Sequence, residues 1–187
     1  MTKSNDGESF VYLPEKLQRF CEEHYEEQQR QQDCLPFEMV SMNSHREDHD
    51  AILSHANQVL SQYDNSGKLT TVATLVLLNT VGFLQKDMVA EMFGDEAAVL
   101  MANTITSFDS NSGNAALWEE SLHQMARASS EAKRVRLALL LGQVMHSPGA
   151  TGHLPFWHQE AMALSGGDPQ LHKQVVTLIE TDWAASK

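Results

Sequence analysis

Cysteine is almost missing from this chain of 187 residues: Cys21 and Cys34 are the only two, thirteen positions apart. Two thiols without a C-x-x-C spacing exclude a disulfide scaffold and a zinc knuckle, and they suit reduced side chains in a cytoplasmic protein. Proline is scarce, at 5 residues, and aromatic residues make up 7%. Alternation of apolar and polar residues at period two never persists, so no sheet is expected. Long hydrophobic runs are lacking as well. The longest stretch free of Asp, Glu, Lys, Arg and His lies between Lys68 and Lys86 and carries Thr70, Thr71, Thr74, Asn79 and Thr80. A spanning helix needs about 20 predominantly apolar residues. Residues 69–84 are therefore read as a core helix, the most buried of the chain, and no membrane association is expected. Residues 1–9 are polar, with no apolar signal segment, and are read as a disordered tail.

Positive charge is the other shortage. Lys and Arg number 13 against 25 Asp and Glu, for a net charge of -12. Residues 1–128 hold 8 basic and 20 acidic side chains, whereas residues 129–187 hold 5 of each, so the net charge belongs to the first two thirds. Such a balance makes nucleic acid an unlikely partner and suits a basic protein partner. The 42% of hydrophobic residues is enough for a core and excludes a wholly disordered chain.

What is present is helical periodicity, and the expected fold class is all-α: residues 10–187 form one irregular bundle of about seven to nine helices, or a short array of helical pairs. Leu13, Leu17, Phe20 and His24 share one face of a first helix. Ser44 and Glu47 make a capping box ahead of a stripe of Ile52, Leu53, Ala56, Val59, Leu60 and Tyr63. Asp64–Gly67 is a turn cluster. Gly94 ends a short helix and Asp95 caps the next; Ser130 caps the helix of Val135, Ala138, Leu141 and Met145. Asp168 followed by Pro169 opens the last helix. Residues 51–67 shifted by 46 match 97–113 at seven of seventeen positions, Asn57 on Asn103 among them, which hints at a helical-pair repeat.

Several clusters carry chemistry-bearing side chains. His45 and His49 stand four apart on one helix face and could share a metal ion. This supports a second reading, a metal-binding bundle or metal-dependent enzyme. His55 sits about 100° from the apolar stripe and is expected to be exposed. Arg127, Lys133, Arg134 and Arg136 concentrate four cations within ten positions. They could hold phosphate or a nucleic-acid strand, a third reading, although pairing with acidic neighbours is preferred. His146, His153 and His158 bracket a loop with Phe156 and Trp157, a candidate partner-contact loop. Val89–Gly94 resembles the first helix and turn of a helix-turn-helix, with Ala90 and Gly94 at the expected separation and Leu100 as a second-helix core residue, but the second helix opens with Asp95 and Glu96, which excludes DNA reading.

No nucleophile elbow or phosphate-binding loop occurs, and no cofactor is implied. The leading expectation is a small, acidic, non-enzymatic interaction protein of the inhibitor, chaperone or adaptor kind. Its partner-binding residues are expected to be Glu22, Glu23, Glu26 and Glu27, with His153, Phe156, Trp157 and His158. Association between copies of the chain is left open.

Overall fold

The structure is a computed structural model and describes residues 46–80, 86–105, 115–147 and 150–186. Eight α-helices and no strand are found among them. In chain order they are α1 (Arg46–Leu60), α2 (Lys68–Thr80), α3 (Lys86–Phe93), α4 (Asp95–Ala102), α5 (Ala115–Arg127), α6 (Ser130–His146), α7 (Leu154–Ala163) and α8 (Pro169–Ala185). A 3-10 turn, Thr151–His153, precedes α7. The expected first helix, its acidic cluster and the Ser44 cap lie outside the described residues. No described helix is long and apolar enough to cross a membrane.

The organising element is α6, which touches α1, α2, α4, α7 and α8. Every residue from Val135 to Gly142 is buried, on all sides of the helix. This is the longest continuous buried run among the described side chains. Over residues 68–77, the part of the Thr-rich helix whose side chains are described, none is exposed and Val72–Leu77 are buried; α6 is enclosed over a longer described stretch. The reason is topological. A helix in the middle of a bundle has no solvent face, so its apolar residues need no stripe.

Helix α1 crosses α6 antiparallel. Gly142 of α6 lies against Ile52 at one end, and Arg134 sits 4.7 Å from the Tyr63 ring centre at the other. A Cβ on Gly142 would come within 2.8 Å of the Ile52 carbonyl oxygen, so only glycine allows this approach. Ile52, Ala56 and Leu60 bury the α1 stripe in the seam, as the periodicity implied.

Local signals explain the helix ends. Asp64 accepts hydrogen bonds from the Ser66 amide at 2.8 Å and the Leu69 amide at 3.0 Å, tying the turn to the start of α2. Gly67 completes that turn with φ 77°. Asp168 accepts from the Gln170 and Leu171 amides at 3.0 and 2.8 Å and caps α8. Two expected caps shift by one residue. Ser129, not Ser130, caps α6 by accepting from the Ala132 amide. Gly94, with φ 88°, stands at the cap position of α4 and Asp95 is already helical. Gly94 is therefore a one-residue corner between α3 and α4, shorter than the turn of a helix-turn-helix, which takes about 3–4 residues.

The internal similarity is not carried into structure over the described part. Asn57 is buried inside α1, whereas Asn103 is exposed beyond the end of α4. The helices gather around one centre rather than stacking pair on pair.

Candidate functional site

The cluster of cations on and before α6 is divided between inside and outside. Arg136 and Glu160 form a forked ion pair, with side chains only 3% and 1% exposed. The Arg136 Nε donates to one Glu160 oxygen and Nη2 to the other at 3.1 Å; Nη2 also reaches the Gln143 side-chain oxygen at 3.4 Å. Lys133 is buried too. Its Nζ donates to the Ala126 carbonyl at 2.9 Å, satisfying the last turn of α5, and its stem lies beneath Gly166 and Gly167. Arg134 is half-buried under Tyr63, beside Asp168. Arg127 alone of the four is exposed. These side chains do not form one phosphate-facing patch, because two of them are spent inside the bundle.

Tyr63, Arg134 and Asp168 link α1, α6 and the start of α8. Burial raises the Tyr63 hydroxyl above its ordinary pKa, and pairing with Asp168 adds to this. The Leu171 amide chiefly holds the Asp168 carboxyl below its ordinary value, helped by Tyr63, Gln170 and Arg134.

The aromatic loop is mostly folded inward. Trp157 is 6% exposed and lies in the core, which corrects its expected place in a contact surface: it packs inside because its helix turns that face toward the bundle. Phe156 meets Trp118 of α5 edge-on at 5.9 Å, and the Trp118 indole donates to Gln159 at 2.9 Å. His158 stands edge-on to Trp183 at 5.8 Å and its Nε2 lies 3.6 Å from Glu180. His153 is exposed over the edge of Trp157. Nearby, Val144, Ala150, Leu154, Trp157 and Asp182 help line an open groove of 280 Å³. That volume is below the range of about 300–1,000 Å³ usual for small-molecule sites.

His45 lies outside the described residues, as does the His49 side chain. Among the described residues no three His, Cys, Asp or Glu side chains are grouped as metal ligands. His55 is not exposed, contrary to its helical-wheel position. Its ring meets that of His146 at 6.0 Å, because α6 ends alongside α1. This pairing had no sequence signal, since the two histidines are 91 positions apart (146 minus 55). Glu160 did leave one: a carboxylate between Trp157, Ala161 and Leu164 on an otherwise apolar face requires an internal partner.

The outer surface has the opposite character to α6. Among the described residues nine carboxylates are exposed, against three exposed cations, Lys86, Arg127 and Lys173. Asp87, Glu91, Asp95 and Glu96 fall within ten positions on α3 and α4. Val99 is 50% exposed, and it follows Asp95 and Glu96 at four and three residues on the same α4 face. Lys68 is held to Glu96 at 2.5 Å and Glu131 at 3.2 Å, which raises its pKa above the ordinary lysine value.

Comparison with protein-family models, curated proteins and solved structures finds no match.

Proposed function

We propose that the chain is a small acidic interaction protein of the cytoplasm, non-enzymatic, which docks on the basic surface of a protein partner to regulate, hold or bridge it. The observation that carries this reading is charge segregation. Lys133 and Arg136 are internal and Lys68 is tied to Glu96 and Glu131, while carboxylates dominate outside. The surface is therefore more acidic than composition alone implies. The α3–α4 face adds an apolar centre, Val99, among carboxylates, the pattern of a contact with an apolar core and a charged rim. Glu22, Glu23, Glu26 and Glu27 contribute the same sign from the N-terminal part of the sequence.

The test begins with in-cell crosslinking of the full chain in its native host to identify the partner. Association rates are then measured at low and high salt for the wild type and the triple variant Asp87→Lys, Glu91→Lys, Asp95→Lys. Charge reversal is expected to slow association by about tenfold at low salt and to flatten its salt dependence. A melting curve controls for the helix-dipole role of Asp87 and Asp95. Equal rates for the two proteins at both salt concentrations would remove this face from the mechanism.

A further inference from the structure

The α1–α6 seam ends in a pair of imidazoles. The His55 and His146 rings lie 6.0 Å apart and edge-on, at 64°. His55 Nε2 is sealed from solvent and has no hydrogen-bond partner. One turn before His55, Ile52 is pressed against Gly142 so closely that a methyl group would not fit between the two helices. The seam is tight at that approach, and the Nε2 edge of the half-buried His55 ring is closed to solvent and unpartnered in this arrangement.

We propose that the His55–His146 contact is an acid-sensitive latch: protonation of His55 as the pH falls below neutral releases α1 from α6 while the rest of the bundle remains folded. The physical steps follow from the geometry. A protonated His55 must place a donor at Nε2, where the folded seam supplies no acceptor. The His146 ring in edge contact also disfavours a positive charge on His55. The ring can satisfy both demands only by swinging out to solvent, and the Ile52–Gly142 approach opens with it.

The helices packed on α1 are α2 and α6. From α6 the titratable group facing His55 is His146. The other α6 charges are engaged elsewhere: Lys133 with Ala126, Arg134 with Tyr63, Arg136 with Glu160, and Glu131 with Lys68. From α2 the charged residue is Lys68, held at Glu96 and Glu131. On α1 itself Asp50 is exposed. Among the described side chains, which leave out those of Glu47 and Asp48 on α1, no carboxylate lies beside His55. Burial, and then His146, lower the His55 pKa from its ordinary 6.5. The unfolded chain therefore binds the proton more readily. Stability is full above pH 6.5 and falls as the pH drops through 6.5 toward the folded value.

The test is hydrogen exchange of the full chain at pH 7.5 and pH 5.5, with labelling times matched for the chemical exchange rate. Peptides of α1 are compared with peptides of α8 as an internal reference. In the wild type, α1 is expected to lose protection severalfold at the lower pH while α8 does not. His55→Leu and His146→Gln should each flatten that response. His146 is half-exposed, so the second variant keeps the test decisive where the first fails to fold. An NMR titration should place the His55 midpoint below 6.5. Equal α1 protection at both pH values in the wild type would overturn the latch. So would an α1 response in the folded variants as large as in the wild type.

Discussion

Helices α2 and α6 are both largely buried, yet they accommodate polar side chains in opposite ways. In α2 each described hydroxyl is satisfied locally. Thr70 and Thr71 donate to the Gly67 carbonyl at 2.9 and 2.8 Å, and Thr74 donates to the Thr70 carbonyl at 3.1 Å. In α6 the buried polar groups reach across the fold, Lys133 to α5 and Arg136 to α7. A local bond forms wherever the helix forms and is indifferent to its neighbours. A long-range bond forms only when the correct helices meet. Beyond the Lys68 ion pairs at its start, α2 is thus an interchangeable apolar strut, whereas α6 specifies its surroundings by buried charge.

The sharpest way to break this comparison is to orphan the α6 cation. Glu160→Ala should lower stability by about 3–5 kcal/mol in urea unfolding, because Arg136 is left charged and enclosed. The double variant Arg136→Met, Glu160→Leu should recover most of that loss, since no charge then needs compensation. A double variant as unstable as the single one would show that packing, not charge pairing, governs the site.

Gly142→Ala comes next. On an exposed helix the change would gain up to about 1 kcal/mol. Here the new methyl meets the Ile52 backbone, which cannot swing aside as a side chain would. A net loss of about 1–3 kcal/mol is expected in thermal or urea unfolding. A gain would mean that the α1–α6 seam is looser than described.

Asp168→Ala should cost about 1 kcal/mol at neutral pH through the lost α8 cap. Because the folded Asp168 pKa lies below its ordinary 3.8, the carboxylate contributes fully above that value and its contribution fades as pH falls through the folded value. Unfolding midpoints of wild type and variant should therefore converge in acid. Thr74→Val should have the smallest effect, less than about 1 kcal/mol, since it deletes one hydroxyl bonded within its own helix. If Thr74→Val proved as costly as Glu160→Ala, the distinction between the two helices would collapse.

Helix periods and turn chemistry made the elements legible from sequence. The Asp168–Pro169 start, the Asp64–Gly67 turn and the Gly94 stop each act through bonds or backbone angles spanning a few residues. The central role of α6 was not legible: Val135, Ala138 and Leu141 mark one face, but a helix enclosed on every side buries the others as well, which no periodicity announces. Whether Arg136 faces outward or inward depends on Glu160, which is 24 positions beyond it (160 minus 136). His55 was misplaced for the same reason: the helical wheel describes one helix, and the end of α6 covers the face that the wheel left open.

The antiparallel meeting of α1 and α6 also has a consequence during synthesis. Ile52 is made 90 residues before Gly142 (142 minus 52), the residue it packs against. At about 5–20 residues per second, translation leaves an interval on the order of ten seconds between the two. Throughout it, Ile52, Ala56 and Leu60 have no α6 to cover them. Local contacts let most small helical proteins fold fast, but this seam closes a long loop, so its assembly should be slow for an all-helical chain. A nascent chain stalled before α6 emerges presents an uncovered apolar helix, the kind of segment that chaperones bind.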